Sequence, residues 1–200
     1  LSKIANHDNI SVNDRLSYWK TLGSICKYLD TETIKSEPKQ IIVSLRGGLA
    51  VLHYLKIKKN SIYLIDCKRV VLKNPYSYGA GLSVTDKDKY QENLKYLVGK
   101  KLRIVEICIA TGVTTSSLLL DLYFKNSNPS DIEILTTAVT QQGYELVTKV
   151  AKALGFKIKI TTGAIFYNVG DLRTTKKDSI LNDDKSWVFG DVSKIIETYI

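Results

Sequence analysis

The chain has 200 residues, of which 44% are hydrophobic and 24% are charged, and this balance excludes a chain that is disordered throughout. Its 29 basic and 20 acidic side chains give a net charge of +9, which favours anionic partners, although a solvated lysine-rich surface gives the same figure. No apolar run reaches the ~20 residues of a membrane-spanning helix, and the first residues lack the apolar core of a secretory signal.

The three cysteines, Cys26, Cys67 and Cys108, are odd in number and lie far apart. A zinc site or a disulfide framework is therefore not expected, and a reducing compartment is favoured. We predict a soluble, cytoplasmic protein without membrane contact, in which residues 1–200 form one domain.

The first third of the chain predicts a helix followed by short strands. Residues 1–40 are expected to be an N-terminal helical segment, because apolar side chains recur at helical spacing between residues 13 and 29. The β-branched run at 41–45 predicts a strand, and residues 49–57 predict a helix. The next apolar runs predict two more strands, at 61–66 and 69–72.

The remainder begins with a long segment and then alternates regularly. Residues 73–89 mix Gly, Tyr, Ser and charged side chains without a period, which predicts a long mobile loop of functional importance. After it, apolar runs predict strand, helix, strand, helix and strand in turn, at 102–110, 111–125, 132–139, 144–154 and 156–166. This order is typical of a parallel α/β sheet flanked by helices, which binds ligands at the carboxyl ends of its strands.

The strand at 102–110 ends in small and hydroxyl residues that lead directly into a helix. After Glu106 the chain reads Ile-Cys-Ile-Ala-Thr-Gly-Val-Thr-Thr-Ser-Ser. Such a turn presents N–H groups and hydroxyls at the positive end of a helix, and Gly112 lets the backbone approach a ligand closely. A carboxylate several residues earlier can accept hydrogen bonds from vicinal hydroxyls. The segment therefore predicts a site for a ribose 5-phosphate.

A purely structural interpretation of this segment stays open. Thr and Ser are also typical of a helix N-cap, and Glu106 can be a buried acid that its neighbours satisfy. The Walker sequence GxxxxGK[ST] is absent, so the turn is not a nucleoside triphosphate loop of that kind.

Residues 99–115, GKKLRIVEICIATGVTT, resemble the phosphoribosyl-diphosphate binding motif of type I phosphoribosyltransferases. The uracil phosphoribosyltransferase branch is the closer match, because it keeps a single acid before the turn, as in Glu106 followed by Ile107. VSLRGGLA at 43–50 resembles that branch's diphosphate-binding segment, and LNDDKSWVFGDVSK at 181–194 resembles its C-terminal base-binding stretch.

The resemblance implies a type I phosphoribosyltransferase fold, which is a parallel Rossmann-like sheet flanked by helices, with a flexible loop and a small C-terminal lobe. It implies transfer of the phosphoribosyl group from 5-phosphoribosyl 1-diphosphate to a nucleobase, with uracil favoured and pyrophosphate released. Mg²⁺ would arrive with the diphosphate, so no metal site built by the protein alone is expected. A homodimer or larger homo-oligomer is expected.

The resemblance also implies roles for particular residues. Glu106 and Arg46 would be catalytic, and the loop at 73–89 would close over the site. The 5-phosphate would be held by Ala110, Thr111, Gly112, Val113, Thr114 and Thr115, and the diphosphate by Leu45, Arg46, Gly47 and Gly48. Lys68, Arg69 and Lys73 would neutralise the leaving group or simply be solvated. The lobe at 170–200 would bind the base through Trp187, Val188, Phe189, Gly190 and Asp191.

The chain departs from that pattern in three places. Val113 replaces a second glycine, the base loop after Asp191 is shortened, and residues 170–178 form a basic insertion. Two alternatives therefore stay open. One is a phosphoribosyltransferase for another base or acceptor, and the other is a sensor of phosphoribosyl diphosphate that regulates through nucleic-acid binding.

Overall fold

The computed structural model describes residues 12–33, 40–44, 47–55, 62–65 and 87–167. Within these residues the helices are α1 (Val12–Thr33), α2 (Gly48–Tyr54), α3 (Lys87–Lys95), α4 (Val113–Phe124) and α5 (Gln141–Ala153). The strands are β1 (Gln40–Ser44), β2 (Ile62–Ile65), β3 (Lys101–Ile109), β4 (Asp131–Thr140), β5 (Ile158–Thr162) and β6 (Ile165–Phe166).

The strands form one sheet in the order β2-β1-β3-β4-β5, with β6 paired to the end of β4. Every pair of neighbouring strands is parallel. The predicted parallel α/β sheet flanked by helices is therefore confirmed. Because β2 lies on one side of β1 and β3 on the other, the strand order reverses between β1 and β3. Such a reversal leaves a crevice at the carboxyl ends of the two strands.

Helices cover both faces of the sheet, which explains why its central strands are apolar on both sides. Apolar side chains of α3, α4 and α5, such as Leu119 and Val147, pack on one face. Side chains of α1 and α2, such as Cys26 and Val51, pack on the other. No helix among the described residues combines the length and apolarity needed to cross a bilayer.

Most predicted elements are found within a few residues of their expected bounds, and three differ. Helix α2 ends at Tyr54 rather than 57, because Leu55 is extended. Helix α3 begins at Lys87, within the predicted loop, since Tyr90 and Leu94 are buried at helical spacing. The strand predicted at 156–166 is interrupted at Gly163, where a Cβ would collide with the side chain of Ile25 on α1.

Three predictions lie outside the described residues. They are the strand at 69–72, residues 73–86 of the loop predicted at 73–89, and the C-terminal lobe at 170–200.

A buried ion pair accounts for one of the three charged side chains of β3, which are Lys101, Arg103 and Glu106. Arg103 lies beside Glu133 of β4, and its Nη2 and Nε atoms donate to Glu133 Oε2 at 2.7 and 3.0 Å. Both side chains are almost completely buried, so the pair satisfies charges that would otherwise be costly inside the protein. Of the other two, Lys101 is exposed at the start of the strand, and Glu106 belongs to its carboxyl half.

Candidate functional site

The two glycine-containing turns predicted to bind a ligand lie at the ends of neighbouring strands. Strand β1 pairs with β3, so Gly47–Gly48 and Ala110–Gly112 leave the sheet at the same edge, at the reversal point. A Cβ on Gly48 would lie 2.5 Å from the carbonyl oxygen of Val105, so glycine lets the start of α2 pass directly against β3. Leu45 and Arg46 lie outside the described residues.

The turn after β3 is built around Gly112. This residue has φ +76°, in the left-handed region that favours glycine, and it is the N-cap of α4. Ser116 N–H donates to Gly112 O at 2.9 Å, which starts the helical ladder. The amides of the preceding helical residues point out of the helix end without partners inside it, as in any α-helix. The cap is thus a glycine without a side chain, rather than one of the hydroxyl residues.

The same turn packs tightly against the start of α5. A Cβ on Gly112 would lie 2.7 Å from Gly143 O, and a Cβ on Gly143 would lie 2.5 Å from Ala110 O. Thr140, the last residue of β4, donates its hydroxyl to Ala110 O and accepts from Gly143 N–H at 2.9 Å. The sequence analysis did not select Thr140 or Gly143. The motif Thr-x-x-Gly after a predicted strand was the available signal.

A small cleft, with room for about one water molecule, lies beside this turn on the α4 side of the sheet. Its lining combines an apolar floor with four polar side chains, and consists of Ile42, Ser44, Ile65, Ile104, Glu106, Thr114, Thr115 and Leu118. Strands β1, β2 and β3 supply the floor, and the first turns of α4 supply one wall. The carboxylate of Glu106 therefore shares a cleft with Thr114 and Thr115, two of the residues predicted to hold a phosphate.

Glu106 is held by its own strand. Ile107 N–H donates to Glu106 Oε1 at 3.0 Å, and the side chain is partly exposed. Ser44 lies at the end of β1, is 8% exposed and lines the cleft. It was not selected from the sequence, because a single serine at the end of a strand carries no distinctive pattern.

The other predicted site residues divide into two groups. Ala110 and Gly112 are buried, whereas Thr111 and Val113 are partly exposed at the turn. The remaining ones lie outside the described residues, namely Lys68, Arg69, Lys73, Trp187, Val188, Phe189, Gly190 and Asp191.

Cys108 lies two residues after Glu106 on β3. Burial, together with the negative charge of Glu106, raises the pKa of its thiol from 9.0 to about 12. The thiol is therefore protonated near neutral pH and is a poor nucleophile. The described part of the chain contains no group of three or more His, Cys, Asp or Glu side chains placed to hold a metal ion.

Fold and cleft together define a doubly wound α/β protein with a candidate ligand site where its strand order reverses. No protein-family model and no curated protein matches the chain. Among solved structures, it is similar to the AQ2163 protein from Aquifex aeolicus, with a TM-score of 0.60 and 17% identity over 96% of this chain and 90% of that one. At this identity the similarity shows a shared fold.

Two phosphoribosyltransferases are also similar in structure. The purine phosphoribosyltransferase from Pyrococcus horikoshii gives a TM-score of 0.49 and 15% identity, covering 74% of this chain and 82% of that one. A hypoxanthine phosphoribosyltransferase from Staphylococcus aureus gives 0.48 and 17%, covering 74% of each chain. Neither name mentions uracil, so the uracil branch stays a prediction.

Proposed function

We propose that this chain binds 5-phosphoribosyl 1-diphosphate in the cleft between the ends of β1 and β3 and transfers its phosphoribosyl group to a nucleobase. The observation that carries the proposal is that the Glu106 carboxylate and the first turn of α4 share one cleft, beside the glycine turn after β1. A sugar phosphate needs this combination, an anion site next to an acceptor for hydroxyl groups.

The 5-phosphate would lie at the N-terminus of α4. First-turn amides supply donors there, the helix dipole favours negative charge, and Thr114 and Thr115 line the same cleft. Gly112 supplies the left-handed backbone that turns the chain from β3 into α4, so that the first-turn amides lie at the open end of the helix. Val113 is the first residue of α4 and is partly exposed, so the turn accommodates its side chain.

Glu106 would accept hydrogen bonds from the ribose hydroxyls. When the bond between C1 and the diphosphate oxygen breaks, the electron pair leaves with the diphosphate and positive charge develops on the ribose ring. A nearby carboxylate stabilises that charge. A ring nitrogen of the base then forms the bond to C1 and loses its proton, which yields the nucleoside monophosphate and pyrophosphate.

The diphosphate would lie over the turn after β1. Gly47 and Gly48 are buried there, and Arg46 directly precedes them in sequence, which supports the diphosphate role implied by the resemblance. Mg²⁺ is proposed as the ion that accompanies the diphosphate. The carboxylate of Glu106 and the hydroxyl of Ser44 are hard oxygen donors of the kind Mg²⁺ prefers, and they fit an ion held largely by diphosphate oxygens and water. When bound, the ion would neutralise charge on the leaving group.

Uracil is the proposed base, and its support is the sequence resemblance at Glu106–Ile107 and at 181–194. The test is release of pyrophosphate from 5-phosphoribosyl 1-diphosphate and Mg²⁺ with a panel of pyrimidine and purine bases. We expect base-dependent release, fastest with uracil. Faster pyrophosphate release with another base would support phosphoribosyltransferase activity with that base, rather than uracil, as the acceptor.

A thermal-shift titration with 5-phosphoribosyl 1-diphosphate separates the remaining outcomes, because a ligand of the native state raises the melting temperature. If the chain showed no turnover with any base and no thermal shift, the proposed function would be overturned. A shift without turnover, combined with nucleic-acid binding that weakens steeply as salt is raised, would favour the regulatory alternative.

A further inference from the structure

The turn that contains Ala110, Thr111 and Gly112 is supported by a junction that takes no part in the cleft, the point where β4 passes into α5. We propose that Thr140, at this junction, is the positioning residue for the 5-phosphate turn. Through its hydroxyl it sets the direction in which the amides of that turn point. The inference rests on the proposed function, which supplies the ligand.

The hydroxyl of Thr140 makes two hydrogen bonds at once. It donates to Ala110 O, the first carbonyl of the turn, and accepts from Gly143 N–H at 2.9 Å. Thr140 is 0% exposed, so water cannot replace either bond. One side chain therefore fixes the turn after β3 and the first turn of α5 relative to each other.

A second hydroxyl holds the same segment three residues earlier. Thr137 Oγ1 donates to Ile107 O at 2.5 Å, directly after Glu106. The two threonines thus anchor the backbone from the carboxylate to the turn, across 30 residues of sequence. Only Thr140 contacts both the turn and α5 in the described hydrogen bonds, which is why it is assigned the positioning role.

Backbone packing leaves the turn little room to move. A Cβ on Gly143 would lie 2.5 Å from Ala110 O and 2.7 Å from Ile109 O, and a Cβ on Gly112 would lie 2.7 Å from Gly143 O. Ala110 O belongs to the same planar peptide group as the N–H of Thr111. A shift of this oxygen therefore also reorients the N–H groups that follow it in the turn, which would face the phosphate. A displacement of even 1 Å is enough to weaken such hydrogen bonds strongly.

The test compares Thr140→Val with Thr140→Ser. Valine has the shape of threonine but no hydroxyl, and serine restores the hydroxyl. Ile132→Val, on the buried amino half of the same strand, is the control for loss of stability alone. Two quantities are measured for each full-length variant, the Kd for ribose 5-phosphate by calorimetry and amide hydrogen exchange across residues 108–116 by mass spectrometry.

We expect Thr140→Val to weaken ribose 5-phosphate binding about tenfold or more and to speed exchange in residues 108–116, while Thr140→Ser stays within about threefold of the unaltered chain. Ile132→Val should leave both quantities unchanged. Equal binding and equal exchange in Thr140→Val and the unaltered chain would overturn the inference.

Gly143→Ala provides an independent route if Thr140→Val does not fold. It keeps both hydrogen-bonding groups but crowds Ala110 O, so it should weaken binding in the same direction, and unchanged binding would contradict the inference. Failure of the unaltered chain to bind ribose 5-phosphate would overturn the proposed function instead. The exchange comparison needs no ligand and would still decide whether Thr140 holds the turn.

Discussion

Helices α4 and α5 start at the carboxyl ends of adjacent strands, but their N-termini are built in different ways. At α5, Thr140 caps the helix by accepting a hydrogen bond from Gly143 N–H. At α4, the cap position is Gly112, which has a left-handed backbone and no side chain to accept such a bond. Sequence composition would suggest the opposite, since α4 begins with more hydroxyl residues than α5.

This difference indicates that the N-terminus of α5 has a structural role, whereas the N-terminus of α4 is open to a ligand. The cap of α5 is buried and its hydroxyl serves the neighbouring turn. Thr114 and Thr115, at the start of α4, instead line the cleft that contains Glu106. Because an uncapped N-terminus keeps both its donors and its positive dipole, an anion can bind at α4 in a way that the capped α5 does not allow.

The largest effect is expected for Glu106→Gln, which tests whether the open terminus of α4 works together with the carboxylate. Glutamine keeps the size of the side chain and removes the negative charge that would face the ribose in the proposed complex. We expect kcat for pyrophosphate release to fall by about 100-fold. The control is Glu145→Gln on α5, an exposed site at which the carboxylate accepts a hydrogen bond from Gln141. This change should leave kcat unaltered. A kcat for Glu106→Gln within twofold of the unaltered value would contradict the assignment.

A second effect is expected for Gly112→Ala, with Gly155→Ala as a matched control. Both glycines have nearly the same backbone, φ +76° and +75°, so both alanines carry a similar strain of about 1 kcal/mol. At Gly155 an added Cβ meets nothing within 4 Å, whereas at Gly112 it meets Gly143 O at 2.7 Å.

We therefore expect Gly155→Ala to lose stability by about 1 kcal/mol with ribose 5-phosphate binding intact. Gly112→Ala should lose more stability and weaken binding by about tenfold or more, because it displaces the turn. Urea denaturation and calorimetry measure the two quantities. Equal losses of binding in the two variants would show that the contact between Gly112 and Gly143 does not matter to the site.

The order of strands and helices was predictable from the sequence, because each buried strand is an apolar run and each helix has apolar side chains at its own period. The turn after β3 was also predictable, since its small residues and its preceding acid are contiguous in sequence. Helix α3 is the exception and was not predicted, because its nine residues, KDKYQENLK, include five charged side chains and only two large buried ones, Tyr90 and Leu94.

The supports of the site could not be predicted in the same way. Thr140 acts on Ala110, 30 residues away, and that contact exists only because β3 and β4 pair in a particular register. At Gly163, between β5 and β6, an added Cβ would collide with Ile25 of α1, a residue 138 positions earlier. Ser44 faces the cleft for a similar reason, the pairing of β1 with β3. Local patterns carry no information on such long-range contacts.

The smallest effect, and the most direct test of the two termini, is expected from removing one hydroxyl at each helix. Thr114→Val keeps the branched shape of the side chain and the lining of the cleft, but it removes a donor that would face the phosphate. One hydrogen bond to a charged group contributes about 1.5 kcal/mol, so the Kd for ribose 5-phosphate should rise by about tenfold.

Thr148→Val is the matched change on α5, where the hydroxyl donates to Tyr144 O at 2.7 Å within the helix. It removes the same chemical group from an exposed position away from the cleft, so it should leave the Kd unchanged. If calorimetry gave the same Kd for both variants and the unaltered chain, the threonines of α4 would not hold the phosphate. The open terminus would then bind through backbone amides alone, and Gly112→Ala would become the decisive variant, because it displaces those amides without removing a hydroxyl.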